Sequence, residues 1–247
     1  MADYRLYAGK PVVIKPKSTN FGLGITILKH NYDETDFKAA LQIAFEHDNT
    51  VLIEKFIPGR EFRIFIINDE VVGILHRVPA NVTGDGVLNI GQLIDRKNED
   101  PLRGKGYRTP LEKIRKGREE EMFLKQQGMD FNTVPKEREV VYLRENSNIS
   151  TGGDSIDFTD DIDDSYKAIA VEAAKALNVK ITGLDMMIQD IHAPATPDNY
   201  AIIEMNFNPA IHIHCYPFKG KNRHLNHKMI KALGLSLIHI SEPTRRR

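Results

Sequence analysis

Residues 51–78 read VLIEKFIPGREFRIFIINDEVVGILHRV, three apolar runs separated by two breakers. Val51 to Ile57 forms a strand that stops at Pro58-Gly59, and Glu61 to Ile67 and Val71 to Val78 then flank Asn68-Asp69-Glu70. Two β-rich runs around a short polar turn predict an antiparallel hairpin. Upstream, Val12 to Lys15 and Ile25 to Leu28 read as strands on either side of Ser18-Thr19-Asn20-Phe21-Gly22-Leu23-Gly24. Asp33 or Thr35 caps a helix in which Phe37, Ala40, Leu41, Ala44 and Phe45 recur at helical spacing, until His47-Asp48-Asn49 breaks it. The order so far is β-β-α-β-β-β.

Downstream the pattern is less regular. Gly84-Asp85-Gly86 marks a tight turn, and Arg96 to Arg118 is a polar, basic stretch read as a solvated loop and helix. Glu119 to Gln127 reads as helix, Glu139 to Leu143 as strand and Asn146 to Asp154 as a polar loop of small residues. Asp163 or Asp164 caps a long amphipathic helix with the stripe Ile169, Ala173, Ala176 and Leu177. Strands follow near Ile181 to Ile188 and Tyr200 to Met205. Helices packed on a mixed, largely antiparallel sheet place the chain in the α+β class. Leu235 to Arg247 departs from this pattern: an apolar run follows a helix that should stop at Gly234. The segment reads as a non-native tail and is set aside from the fold.

The 247 residues suit one or two domains. Lysine plus arginine equals aspartate plus glutamate at 34 each, which gives no reason to expect nucleic acid or an anionic membrane as partner. In the basic stretch, acids are interleaved and aromatics are scarce, so it does not read as a nucleic-acid surface. Cys215 is the one cysteine, so no internal disulfide forms and a reducing, cytoplasmic setting is expected. No apolar run approaches the roughly 20 residues that span a bilayer, and Met1 to Lys10 lacks the pattern of a secretory signal.

Three constellations carry chemistry. Lys15 ends a strand before a loop with two glycines, which permit close backbone approach to phosphate oxygens; a surface lysine before an ordinary hairpin is the plain alternative. Glu54-Lys55-Phe56-Ile57 leads into Pro58-Gly59-Arg60-Glu61, an apolar strand whose exposed backbone groups suit an adenine edge and whose Glu61 can accept from ribose hydroxyls. The same residues also fit a charged strand before a turn. Asp185 and Glu204-Met205-Asn206 lie on two strands with apolar residues around them. Two carboxylates and an amide oxygen form a hard, all-oxygen site for Mg²⁺, and a structural pair is the alternative. His212-Ile213-His214-Cys215 has the look of a zinc cluster but lacks a fourth ligand, and reads better as lining the substrate end of a site with Tyr216-Pro217.

In this order the motifs resemble the ATP-grasp superfamily, and within it the C-terminal glutathione synthetase module of bacterial bifunctional glutamate–cysteine ligase/glutathione synthetases. The stretches that carry the likeness are Lys15 to Gly24, His76 to Val82, Leu143 to Gly153 and Glu204 to Pro209, within a coverage from about Pro11 to about Gly234. The resemblance implies an α+β ATP-grasp fold in which two subdomains clamp ATP, here 1–57 with the phosphate loop and 58–234 with the metal and substrate site, leaving 235–247 as tail. It implies that Lys15, Asn20, Gly22 and Gly24 meet ATP phosphates, that Glu54, Lys55, Phe56 and Ile57 hold adenine, and that Glu61 binds ribose. Asp185, Glu204 and Asn206 are implied to carry two Mg²⁺ (or Mn²⁺) ions, and Arg77, Arg144 and Asn146 to serve catalysis and the dipeptide.

The implied reaction activates the C-terminal carboxylate of γ-glutamylcysteine with ATP, and the amine of glycine then attacks the acyl phosphate. A cyanophycin synthetase-like amino-acid ligase and a nucleotide-binding fragment without turnover are the alternatives. Two departures stand out. An upstream subdomain with a further lysine is expected to be missing, along with a glutamate–cysteine ligase module. Gly183 also stands where some relatives place an arginine, so Arg77 or Arg144 must supply that charge. A homodimer is a possible assembly.

Overall fold

Each apolar run becomes a strand or a helix face because burial of that run is what offsets the entropy of ordering it. The computed structural model describes residues 4–19, 23–29, 31–106, 108–145 and 147–235. The chain divides into two units, Met1–Pro58 and Gly59–Arg247. Residues 236–247, the bulk of the expected tail, lie outside the described part.

The first unit holds β1 (Val12–Pro16), β2 (Thr26–Leu28), α1 (Glu34–Phe45) and β3 (Val51–Lys55). The strands form an antiparallel sheet in the order β2-β1-β3. Asp33, not Thr35, caps α1: its carboxylate accepts from the Thr35 and Asp36 backbones, and Asp36 reaches back in a capping box. The buried face of α1 is Phe37, Ala40, Leu41 and Ala44, packed on Val12 and Ile14. Phe45, expected on that face, is largely exposed. Tyr4, Tyr7 and Tyr32 surround the Phe37 ring at centroid distances of 5.7, 5.4 and 6.4 Å.

The second unit is built on β4 (Arg60–Ile67) and β5 (Glu70–Val78), the expected hairpin, with Asn68 and Asp69 both at positive φ in its turn. Short elements follow: β6 (Asn81–Thr83), α2 (Ile90–Lys97), β7 (Arg103–Gly104), β8 (Leu111–Glu112), α3 (Arg118–Gln126), β9 (Val140–Tyr142) and β10 (Asp154–Asp157). Then come α4 (Asp164–Ala176), β11 (Ile181–Ile188), β12 (Tyr200–Asn206), α5 (His212–Cys215) and α6 (Leu225–Ala232). The main sheet runs β10-β5-β4-β11-β12 and is antiparallel throughout. β6 pairs with β9, and the two-residue β7 and β8 run parallel.

One sheet face, with Phe62, Ile64, Ile66, Ile74, Leu184, Met186 and Ile188, packs on Tyr166, Ala170 and Ala174 of α4. The helix is therefore rotated from its expected stripe: Ile169 and Ala173 are only partly buried, and Leu177 is 60% exposed. Tyr166 explains the shift, because a fully buried ring whose hydroxyl donates to the Asp190 carbonyl at 2.9 Å fixes which side faces in. On the other face, Phe65, Ile67 and Val72 meet Cys215 and Leu225. A separate cluster of Val82, Ile90, Leu93, Ile94, Leu124 and Val141 ties α2 and α3 to β6 and β9.

Candidate active site

In the first unit the expected nucleotide residues lie on β1 and β3. Antiparallel pairing sets Val13 opposite Glu54 and Lys15 opposite Leu52, and Lys15 Nζ reaches Glu54 Oε2 at 2.6 Å. Phe56 N donates to the Pro11 carbonyl at 3.0 Å, and the Lys29 ammonium lies 5.6 Å from the Phe56 ring centroid. Ile57 and Lys55 continue the same segment, half-buried and exposed respectively. At the loop, Thr19 Oγ1 donates to the Leu23 carbonyl at 3.0 Å, and Ser18 N donates to Asp48 Oδ2 at 2.8 Å. Gly24 has φ +74°, and a Cβ there would lie 2.6 Å from the His47 ring. Asn20 and Gly22 lie outside the described residues.

In the second unit, strand register gathers the charged residues. Asp185 on β11 faces Arg63 on β4 and Glu204 on β12, while Gly183 faces Asn206. An irregularity after Asp185 makes Ile202 the partner of Met186, so Ile203 is the extra residue on β12. Such a bulge re-aims the strand that carries it. Asp185 is almost fully buried and accepts from Arg63 Nε on one oxygen, and from Arg63 Nη2 at 2.8 Å and Arg77 Nη2 at 3.0 Å on the other. Burial alone would raise the Asp185 pKa, but the Arg63 hydrogen bond and the Arg77 charge outweigh it and hold the carboxyl below its usual range.

Arg77 also pairs with Glu61, whose Oε2 accepts from Ser147 Oγ at 2.5 Å. The Arg77 Nε is buried with no hydrogen-bond partner among the described residues. Asn206 Nδ2 donates to Glu204 Oε1 at 3.1 Å, which leaves the amide oxygen facing outward from that bond. Three carboxylates, Glu61, Asp185 and Glu204, against two guanidiniums leave the cluster with one net negative charge.

The expected residues do not all meet here. Arg144 pairs with Glu119 and with the buried Glu120 of α3, the latter at 2.6 Å, so its guanidinium anchors that helix. Asn146 lies outside the described residues. His214 does not line a substrate site: it is fully buried against Phe65, at a ring centroid distance of 5.4 Å, and neither ring nitrogen has a hydrogen-bond partner among the described residues. Burial, aided by the Arg63 charge, pushes its pKa down to about 3. Cys215 is buried beside it, and His212 is exposed.

Among the described residues no group of three or more His, Cys, Asp and Glu side chains gathers to hold a metal ion. The set Asp185, Glu204 and Asn206 has two carboxylates and an amide, and this all-oxygen chemistry suits Mg²⁺ or Mn²⁺. Arg63 is the site residue that sequence reasoning missed. Its signal was present: a charged residue inside the apolar run Phe62 to Ile67 needs a buried partner. Within the described residues no helix is long and apolar enough to cross a membrane.

Comparison with known proteins adds the relatives. The family described as the C-terminus of D-ala D-ala ligases matches residues 3–89. The chain is 62% identical over 236 residues to the glutathione biosynthesis bifunctional protein GshAB of Desulfotalea psychrophila, which covers 96% of this chain and 30% of that protein. Its counterpart from Clostridium perfringens is 57% identical, with 94% and 30% covered. The chain thus spans about 30% of the length of the curated relatives it matches. Among solved structures, a bifunctional glutathione synthetase from Pasteurella multocida superimposes with a TM-score of 0.72 at 47% identity, covering 94% of this chain and 32% of that one.

Proposed function

From the premise that this chain has the ATP-grasp fold and is homologous over nearly its whole length to a segment of the bifunctional glutathione-biosynthesis proteins, we propose that it joins γ-glutamylcysteine to glycine at the expense of ATP. The observation that carries the reading is the register-built cluster of Arg77, Glu61, Asp185, Glu204 and Asn206 in the second unit. We place the glutamate–cysteine ligase module in the remaining length of the bifunctional relatives.

The division of labour follows from the chemistry of each group. Lys15 and the backbone around Gly24 take ATP phosphates, and Glu54 to Ile57 take the adenine edge. Glu61 already accepts from a serine hydroxyl, the kind of donor a ribose also offers. Asp185, Glu204 and Asn206 would hold Mg²⁺ or Mn²⁺, which when bound neutralises charge on the phosphates. Of the two arginines expected to meet the transferring phosphoryl group, the geometry favours Arg77: it stands beside Asp185 with an Nε unsatisfied among the described residues, whereas Arg144 is engaged by α3.

The γ-glutamylcysteine carboxylate attacks the γ-phosphorus of ATP, releasing ADP and forming an acyl phosphate. The glycine nitrogen then attacks the acyl carbon and phosphate departs. Positioned cations stabilise charge in both steps.

The test is to incubate the chain with ATP, Mg²⁺, γ-glutamylcysteine and glycine, and to quantify glutathione by mass spectrometry alongside ADP. An aspartyl peptide with arginine serves as the competing substrate pair. Product from the second pair alone would assign a cyanophycin-type ligase, and nucleotide binding without ADP release would assign a binding fragment.

A further inference from the structure

We propose that Arg63 is a positioning residue that orients Asp185, and that glycine at position 183 is what gives its side chain room. The proposal rests on the assignment of Asp185 to a divalent-cation site. Arg63 and Asp185 are directly opposite on β4 and β11, and the guanidinium grips the carboxylate in a fork, Nε to one oxygen and Nη2 to the other at 2.8 Å. Both side chains are buried, at 10% and 3% exposure, so neither charge is tolerable without the other.

The stem of Arg63 runs over Gly183, two residues before Asp185 on the same strand face. A Cβ at 183 would lie 3.0 Å from Arg63 Cδ and 2.7 Å from Pro209 Cβ. The first contact is tighter than ordinary packing, and the second demands that the proline ring shift. Any side chain at 183 therefore displaces the guanidinium or the proline that follows the Glu204–Asn206 segment.

Arg77 plays a different part. It touches one Asp185 oxygen, shares itself with Glu61 and has an Nε without a hydrogen-bond partner among the described residues, so it can turn to a ligand while Arg63 stays on the carboxylate. A carboxylate held in a planar fork has its plane fixed, and its remaining lone pairs point in set directions. Hydrogen-bonding partners of this kind typically change metal affinity by about 10–100-fold when removed.

The experiment titrates Mn²⁺ into the full chain at fixed ADP and reads free Mn²⁺ by electron paramagnetic resonance, for the unaltered protein, Arg63→Lys and Gly183→Ala. Lysine keeps the charge but not the fork, and alanine keeps Arg63 but crowds it. Both variants are expected to bind Mn²⁺ about 10-fold or more weakly while circular dichroism stays native. In the ligation assay the Mn²⁺ requirement should rise by a similar factor, with kcat recovered at saturating Mn²⁺; a purely structural role would lower kcat at every concentration. Unchanged Mn²⁺ affinity in the folded variants, no Mn²⁺ binding by the unaltered chain, or collapse of both variants would overturn the proposal. Mn²⁺–ADP binding that follows the expected order without any glutathione would leave Arg63 in place and remove the ligase reading instead.

Discussion

At the scale of single residues, exposed and buried ionisable groups of the second unit lead to opposite expectations. Glu204 is exposed, accepts from Asn206 and lies beside Asp185, so loss of its charge should spare the fold. Glu204→Gln is expected to lower ligation by about 10²–10³, the usual loss for one preorganised electrostatic element, with no change in Tm. Turnover at the unaltered rate would take Glu204 out of the site. His76 and His214 work through pH. Burial, followed by the nearby Arg60 charge for His76 and the Arg63 charge for His214, lowers them to about 4 and about 3. A folded pKa below the unfolded one means that the unfolded chain binds protons first. Stability is therefore complete above about pH 6.5 and falls as pH drops toward those values, by about 2 kcal/mol per imidazole between pH 6.5 and 5. Urea midpoints measured across that range should fall for the unaltered chain and fall less for His214→Leu; parallel slopes would show that His214 does not titrate as described. That Asp185 and Glu204 lie on neighbouring strands was legible in the sequence, because acids on apolar strands stand out. His214 was read as lining the substrate end of a site, whereas it is buried, because nothing local reveals that Gly73 leaves a hollow for an imidazole on the neighbouring sheet.

At the scale of elements, the hairpin of β4 and β5 and the helix α1 were readable because turn chemistry and capping are local. Elements fixed by distant packing were not. Helix α2 carries an Asn89–Gln92 capping box before Leu93 and Ile94, yet the polar run that follows hides it, and burial against β6 and β9 is what decides it. Strand β10 has only four residues, and it exists because Asp154 to Asp157 pair with β5 and Asp154 meets Arg103, Lys97 and Asn81. The polar stretch read as surface thus contains Arg103, a buried cation stacked 5.4 Å from the Phe218 ring. The entrance to β4 yields a sharper expectation. Gly59 has φ +138°, and a Cβ there would sit 2.5 Å from the Ile188 carbonyl oxygen, a backbone atom on β11. Gly59→Ala must both strain the backbone and push two paired strands apart, at a cost of about 1–3 kcal/mol. Chemical denaturation should show that loss, and a midpoint equal to that of the unaltered chain would mean that β4 begins elsewhere.

At the scale of the whole molecule, charge balance and exposed apolar surface act in the same direction. Equal numbers of acidic and basic residues put the isoelectric point near 7.1, so little net repulsion keeps copies apart at neutral pH. β12 stands at the margin of the main sheet with Ile202 and Ile203 exposed, and Phe207 just beyond it is 89% exposed. A marginal strand offers unpaired backbone groups to another strand, and apolar side chains beside them remove the usual defence of charge. The chain is therefore expected to self-associate near pH 7 in a concentration-dependent way. Moving to pH 9, where net charge grows, should weaken that association, and Ile203→Lys should weaken it at pH 7 by placing a charge on the bulged residue of the strand. Sedimentation velocity over a hundredfold concentration range would follow both effects. A single monomeric species at every concentration and pH would show that β12 is already protected. Association that responds to pH but not to Ile203→Lys would place the contact on another surface.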